Sequence, residues 1–531
     1  MWIRCTLALA LLLLPSLVAG QKSAATVKQT KPQLTPKQKN GRRMLRNSEV
    51  AARGYSAEMR AVLLLEISAA YHTLDPSRRR KLLNESFRAS TEIDGRVNKR
   101  EVQWEILTEL LHSWPADVEP LLPATDEKYR PLITGELASA YAEKKDFDRA
   151  LRLLNAAAAE GDYPYRAAAE IMVQLPAERA AERLDVFCSA LNAYRQQQDT
   201  FPGFEDMATL VVRFWQKLPA ALVLQSIDEI LAKSREGAEA KHYNLSLLGS
   251  EGKAHTVAAH FDSIYEYRLF ELLPILRALD PDRADSLLHS NQNVRQMLSD
   301  YPQALQSLDP AVRDTPLGKG EHRAVTGITG APPSEVAMRR RSALRRDQIT
   351  KLANVDPSQA YEVAMTLQPA AAGAPNWPRA EAMGIVAAAA MKRDPSLAVK
   401  ATKEQRSILL TMQPFLVLSK LKDVYETFMQ LGDSDAALET AQEAMKLAEK
   451  SYKRDSDSTD PNLALKAMWP STEIWREFIS LLADTNPEMA QRLLKDIPDP
   501  EIATCVEVAI GSWLLSGMAY ELSLPSEPRY K

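Results

Sequence analysis

The sequence predicts an all-α fold in which helical hairpins stack into an α-solenoid, either as one superhelix or as two curved arms. Glycine is scarce, with 19 residues in 531, and helix-favouring residues dominate the chain after Ser56. Asp-Pro or Asn-Pro pairs recur ahead of short amphipathic stretches. One stretch, residues 132–157, has the apolar pattern of a complete hairpin. These three observations favour repeated two-helix units over a single compact core.

Residues 132–157 read as two helices joined by a short polar turn. The first helix carries an apolar face, and the second carries the i, i+3, i+4, i+7 stripe of an amphipathic helix. The apolar positions are Leu137, Ala138 and Tyr141, followed by Ala150, Leu153, Leu154 and Ala157. Asp146 lies between the helices, where a short carboxylate can accept hydrogen bonds from the free N–H groups of a first turn. We therefore expect Asp146 to cap the second helix.

The first twenty residues have the pattern of a signal peptide. An apolar run from Leu7 to Leu14 follows one arginine and precedes small residues. The run is much shorter than the ~20 apolar residues that span a bilayer, so we expect no transmembrane span in the mature chain. Cleavage after Gly20 would begin that chain at Gln21, although an uncleaved anchor is an alternative. We expect an exported protein, periplasmic or extracellular.

Residues 21–50 form a basic segment that we expect to be disordered. This segment contains eight lysines and arginines but only one carboxylate, Glu49, and it has few apolar residues. The rest of the mature chain is acidic. One interpretation is a weak electrostatic contact between this basic arm and an anionic envelope surface; the other is a solvated spacer. We expect no nucleic-acid partner.

Asp-Pro pairs and related signals mark the starts of helices from Ser56 onward. Asp or Asn can cap a helix, and proline fits the first helical position because its missing N–H had no partner there. The clearest sites are Asp75, Asp280, Asp356, Asp394 and Asn486. The intervals from Asp356 to Asp394 and from Asp394 to Asp433 are 38 and 39 residues, a spacing typical of two-helix repeats.

Two stretches resemble the tetratricopeptide repeat. That pattern places a small residue and an aromatic on the first helix and two alanines seven positions apart on the second. In the stretch at about 134–157 these are Ala138, Tyr141, Ala150 and Ala157. In the stretch at about 424–444 the matching residues are Phe428, Gly432, Asp433, Ala437 and Ala444, with a departure at Tyr425, where the family prefers a small residue. The resemblance implies helical hairpins that bind a protein or peptide in a concave groove.

A glycine- and proline-rich stretch at 311–333 lacks an apolar period and predicts a linker. It would separate a helical-repeat region at 51–310 from a second one at 334–520, with a frayed tail at 521–531. Residues 201–303 are the least regular part of the pattern.

Motifs for chemistry are weak. Gly318-Lys319-Gly320 lacks the Ser or Thr of a phosphate loop. His255 and His260 are five positions apart, whereas a zinc pair on a helix needs four. Glu85-Ser86 matches the Glu-Ser pair of soluble lytic transglycosylases over three residues only, so we interpret Glu85 as helix surface. We assign no catalytic residue, cofactor or metal ligand.

Two tryptophans beside prolines, Trp377 and Trp469, are candidate ligand-binding residues, since aromatics at hairpin ends can line the binding face of a solenoid. Cys188 and Cys505 lie on apolar stretches and favour buried thiols over a disulfide. The leading hypothesis is a non-enzymatic scaffold that binds a protein or peptide in a concave groove. The alternative is an envelope enzyme that acts on glycan with carboxylates in that groove.

Overall fold

A computed structural model describes residues 34–94, 96–196, 206–240, 245–251, 254–261, 263–304, 346, 348–367, 378–412, 414–458 and 465–516. Helices make up most of these residues, and neighbouring helices pack against each other along the chain. The predicted all-α fold of stacked helical hairpins is confirmed. The signal peptide, residues 21–33, the linker at 311–333 and the tail at 521–531 lie outside the described residues.

The helices are α1 (Pro36–Ala52), α2 (Ala57–Ala70), α3 (Pro76–Thr91), α4 (Arg96–Ser113), α5 (Pro115–Val118), α6 (Arg130–Glu143), α7 (Phe147–Glu160), α8 (Tyr165–Gln174), α9 (Ala180–Gln196), α10 (Met207–Phe214), α11 (Ala220–Ala240), α12 (Ile264–Leu279), α13 (Pro281–His289), α14 (Gln292–Asp300), α15 (Pro357–Met365), α16 (Pro378–Ala390), α17 (Pro395–Leu409), α18 (Pro414–Gln430), α19 (Ser434–Ser456), α20 (Pro470–Thr485), α21 (Pro487–Asp496) and α22 (Pro500–Ser516). Short 3-10 helices occupy Glu119–Ala124, Ala177–Arg179, Trp215–Lys217 and Lys466–Met468.

The predicted caps are confirmed. A side-chain oxygen of each capping residue accepts a hydrogen bond from a backbone N–H in the first turn of the helix that follows. These residues are Asp75, Asp146, Asp280, Asp356, Asp394, Asp433 and Asn486. In α7 the predicted stripe of Ala150, Leu153, Leu154 and Ala157 is buried. The hairpins α6–α7 and α18–α19 therefore form as the sequence predicts.

The hairpins stack so that their first helices form one row. Within this row α4 packs on α6, α6 on α8, and α18 on α20. The second helices pack against first helices instead: α7 packs on α6, whereas α19 packs on both α18 and α20. Because elements on the inside of a curve lie closer together, we call the first-helix row the inner row and the second-helix row the outer row.

The two ends of the chain form one of these hairpins together, which we call the seam hairpin. It consists of α22, from the C-terminal end, and α1, from the N-terminal end. Gln38 Nε2 donates to the carbonyl of Leu515 at 3.3 Å, and at the other end the Tyr55 hydroxyl lies 2.8 Å from Thr504 Oγ1. The two helices are thus antiparallel, as in a hairpin without its turn.

The seam hairpin corrects the prediction that residues 21–50 are disordered, because 36–50 belong to α1. Thr35 caps this helix in a capping box with Gln38. The face of α1 on α22 consists of Gly41, Leu45, Ser48 and Ala52, all buried. Three of these four residues are small and contribute little hydrophobic signal, so the sequence pattern suggested disorder.

The seam hairpin also joins the two predicted repeat regions. The inner row runs from α20 through α22 to α2 and on to α4, so the C-terminal helices precede the N-terminal helices in space. Cys505, Val508 and Leu515 of α22 share a hydrophobic core with α2 and α3. The described helices of 51–310 and 334–520 therefore pack together, while the predicted boundaries remain a prediction.

One β-hairpin interrupts the helices within 201–303, the stretch with the least regular pattern. Strands β1 (Leu245–Glu251) and β2 (Ala254–Phe261) pair antiparallel, with Leu245 opposite Phe261. His255 and His260 lie on β2, so treating them as helical positions was wrong. Apolar and polar residues alternate only weakly in this stretch, so the sequence pattern did not indicate two strands after α11.

Among the described residues, no helix is both long enough and apolar enough to cross a membrane.

Candidate functional site

The inner row is covered in one part and open in another. Around the seam hairpin, α2 and α22 are buried on nearly every side, and residues 465–468 pack against α2. Across α4, α6 and α8, by contrast, one side chain per turn, or two in α4, stays at least partly exposed. This open part of the inner row is the candidate functional site.

Carboxylates dominate this surface, which we call the inner carboxylate face and define by Glu105, Glu109, Glu136 and Glu170. Glu105 and Glu109 lie one turn apart on α4, so helical geometry places them on the same side. Glu136 belongs to α6 and Glu170 to α8. Three successive inner helices therefore each contribute at least one carboxylate.

Glu105 is the most perturbed group of the face. Burial raises its pKa to about 7, and the neighbouring charge of Glu109 contributes in the same direction. Glu109 itself forms an ion pair with the buried Arg79. Glu105 therefore exchanges its proton near neutral pH, while Glu109 is held by a cation.

Arg166 of α8 connects the other two carboxylates. Its guanidinium lies 3.5 Å from Glu136 and 3.3 Å from Glu170. Burial raises the pKa of Glu136, the charge of Arg166 opposes this shift, and Glu170 adds to it. His112, one turn beyond Glu109 on α4, also acts electrostatically on Glu136. The face thus combines one carboxyl that titrates near neutrality with a cross-linked pair.

This arrangement suits the recognition of cationic groups better than the assembly of a metal centre. Within the described part of the chain, no group of three or more His, Cys, Asp or Glu side chains is placed to hold a metal ion. The ring of His112 is engaged locally, since its Nδ1 lies 2.7 Å from the carbonyl oxygen of Thr108. What the face offers a ligand is negative charge in a partly desolvated setting.

Two ionic clusters outside the inner carboxylate face are buried in the core, where their charged groups pair with each other. Arg268 contacts Asp206 and donates to Glu271 at 2.6 Å. Arg476 donates to both oxygens of Glu66 at 2.6 and 2.7 Å. Burial alone would lower the pKa of each arginine, but the neighbouring carboxylates raise it above its ordinary value. Both clusters are buried in the core and tie helices together.

Cys505 adjoins the second cluster. It is fully buried on α22, and burial raises the pKa of its thiol to about 12. Cys188 is half-buried, and both cysteines are free. The prediction that these two cysteines are thiols rather than a disulfide agrees with their positions in the structure.

The tryptophan candidates do not form a site. Trp469 is 7 % exposed, precedes α20 and packs on Tyr452, with ring centroids 5.9 Å apart. Its assignment to a binding face is therefore wrong: a proline neighbour indicated a helix boundary correctly, but that boundary lies in the core. Trp377 lies outside the described residues.

The remaining sequence motifs add nothing to the site. Glu85 lies on α3, where Lys81 is 3.7 Å from its carboxylate, in agreement with a helix-surface role. Gly318-Lys319-Gly320 lies outside the described residues. Nothing in the local sequence distinguishes Glu105 and Glu136 from the other 67 of the chain's 69 acidic residues, so the sequence alone did not indicate this site.

Comparisons with known proteins leave the chain without an assigned family. No protein-family description and no curated protein matches the sequence. Among solved structures, it is similar to one described as "Circular tandem repeat protein with novel repeat topology and enhanced subunit contact surfaces", at 14 % identity over 90 % of this chain and 91 % of that chain. The TM-score is 0.12, which is too low to support a conclusion about fold or function.

Proposed function

We propose that this chain is an exported, non-enzymatic scaffold that binds a protein or peptide partner through the inner row of its helices. The observation that supports the proposal most directly is the inner carboxylate face, where Glu105 lies partly buried beside Glu109 and pairs with no cation of the described residues. A partner that supplies a lysine or arginine would remove this repulsion. The inner row of a solenoid presents such groups along an extended surface.

The finer assignment to tetratricopeptide-type repeats belongs to the same proposal. In α18–α19 the departing residue, Tyr425, faces the next hairpin and packs edge-to-face on Phe478 of α20. It therefore does not disturb the packing of α18 on α19. Export by a cleavable signal peptide fits this function, and the N-terminal sequence of the secreted protein would test it, with Gln21 expected first.

A pull-down from an envelope extract tests binding, using the mature chain from Gln21 as bait. A second bait carries Glu105→Gln, Glu136→Gln and Glu170→Gln, which leaves the ion pair of Glu109 with the buried Arg79 intact. We expect a specific protein on the first bait and at least tenfold less of it on the second, because three charges of the face are removed.

The matched control carries Glu160→Gln, Asp162→Asn and Asp435→Asn, three exposed carboxylates away from the inner row. It changes the net charge equally and should retain the protein. Equal retention by all three baits would place the binding surface elsewhere, and no retained protein at low salt would contradict the proposal.

One observation favours the alternative, an envelope enzyme acting on glycan. A carboxyl with a pKa near 7 is suited to act as a general acid, and Glu109 is a second carboxylate one turn away. Purified mature chain incubated with cell-wall glycan tests this function. The alternative predicts released fragments with wild type and a loss of at least a hundredfold with Glu105→Gln.

The variant Glu105→Gln should also change the pH dependence of stability, whether or not a partner binds. Since the folded pKa of Glu105 is raised from 4.5 to about 7, its ionisation destabilises the fold progressively between those pH values. The melting temperature of the variant relative to wild type should therefore rise from pH 4.5 to 7 and stay level above. A pH-independent difference would show that Glu105 is not perturbed.

A further inference from the structure

The solvent-facing side of α1 is strongly basic. The positions opposite the buried stripe follow the same i, i+4, i+7, i+11 spacing and are Lys39, Arg43, Arg46 and Val50. All four are exposed, and Val50 is 68 % exposed. We call this the outer stripe of α1. It combines three long cationic side chains with an exposed apolar one.

The carboxylates close to α1 are already engaged. Glu49 pairs with Arg53 and Arg78, and Asp75 lies 3.8 Å from Arg42. Within the described residues, Lys39 and Arg46 have no carboxylate partner, and Arg43 donates only to Asn40, at 2.8 Å. The charge of the outer stripe is therefore not neutralised by the protein's own surface.

The position of α1 leaves the outer stripe accessible to a partner. As the second helix of the seam hairpin, α1 belongs to the outer row, and its exposed side points away from α22. Three further lysines, Lys22, Lys28 and Lys31, precede α1 in the mature chain.

We propose that the outer stripe of α1 docks the protein on an anionic phospholipid surface. The cations would contact lipid phosphates, and Val50 would enter the interfacial region. Each lysine or arginine near an anionic bilayer strengthens binding about fivefold, so the three cations together account for on the order of 100-fold. This inference does not depend on the inner carboxylate face.

Sedimentation with vesicles tests the proposal, using the mature chain at low salt. Vesicles of phosphatidylcholine with phosphatidylglycerol should retain the protein, and pure phosphatidylcholine should not. The variant Lys39→Gln/Arg43→Gln/Arg46→Gln should bind the anionic vesicles on the order of 100-fold more weakly. Its melting temperature should equal that of wild type, because all three side chains are exposed.

The matched control is Lys446→Gln/Lys450→Gln/Lys453→Gln, which removes three exposed lysines of α19 and the same net charge. It should bind like wild type. Equal loss in both variants would show that net charge alone governs binding and would overturn the proposal. So would binding that is insensitive to 0.5 M salt, which screens charges within about 5 Å, or no binding by wild type.

Discussion

The seam hairpin and the hairpin α6–α7 are both antiparallel helix pairs but are held together differently. In α6–α7 a short turn joins the helices, and alanines such as Ala138 and Ala150 are buried between them. In the seam hairpin no turn exists, and glycines take the place of alanines: a Cβ at Gly41 would lie 2.6 Å from the carbonyl oxygen of Gly511. The crossing of the seam therefore requires glycine, whereas the crossing of the connected hairpin accommodates alanine.

The seam also contains a buried ion pair, which α6–α7 lacks among its described contacts. Arg476 of α20 meets Glu66 of α2 beside Cys505 of α22, so three helices from opposite ends of the chain share one cluster. A short turn connects α6 to α7, so these two helices pair through residues that are close in sequence. Pairing of α22 with α1 depends on close packing and buried charge instead.

Breaking the buried ion pair should have the largest effect. Arg476→Met leaves Glu66 buried without its cation, and losing one member of such a pair costs about 3 to 5 kcal/mol. Chemical denaturation measures the loss. The double variant Glu66→Leu/Arg476→Met should recover most of it, and a double variant as unstable as the single one would show that packing rather than charge matters.

Overpacking the helix crossing of the seam should have the second-largest effect on stability. Gly41→Val places two methyl groups against the backbone of α22 and should cost about 3 kcal/mol, at the upper end for overpacking. Proteolysis should then cleave near residues 53–56, where α1 joins α2. Asn47→Val, on the exposed side of α1, is the control and should change stability by less than about 0.5 kcal/mol.

The same experiment in the connected hairpin should have a smaller effect. Ala150→Leu overpacks α6 against α7 and should cost about 1 to 3 kcal/mol. Ala156→Leu, on the exposed side of α7, should be close to neutral. A loss at Ala150 larger than that at Gly41 would contradict the comparison between the two hairpins.

The smallest expected effect concerns the turns. Lys145 has a φ of 63° between α6 and α7, and Gly432 has a φ of 76° at the matching position between α18 and α19. A left-handed conformation strains a lysine, so Lys145→Gly should stabilise the protein by about 0.5 to 1 kcal/mol. Gly432→Lys should destabilise it by a similar amount. Thermal denaturation of both variants provides the reciprocal test.

Local signals predicted the part of the fold that local interactions determine. Asp146 and Asp433 cap helices because the carboxylate and the first turn are adjacent in sequence, and the buried stripe of α7 follows from its period. The seam could not be predicted this way, since its buried side on α1 is largely Gly41, Ser48 and Ala52. Small residues fit a close crossing but give no hydrophobic period.

The candidate site was hidden for another reason. The burial that raises the pKa of Glu105 comes from the packing of α4 within the stack, which no local pattern records. Trp469 shows the reverse error, because its flanking proline suggested a loop whereas its ring lies among Tyr452 and neighbouring core residues. Exposure, in both cases, is decided by distant parts of the chain.

The antiparallel ends of the seam hairpin constrain biosynthesis. The ribosome makes α1 more than 400 residues before α22, so at ~5 to 20 residues per second α1 waits roughly half a minute or longer for its partner. A circularly permuted gene would remove this delay. Because Gln38 and Leu515 are in hydrogen-bond contact, a few added residues can connect Ser516 to Pro36. New termini within 305–345 would then give a chain whose described helices follow one another in the order of the stack.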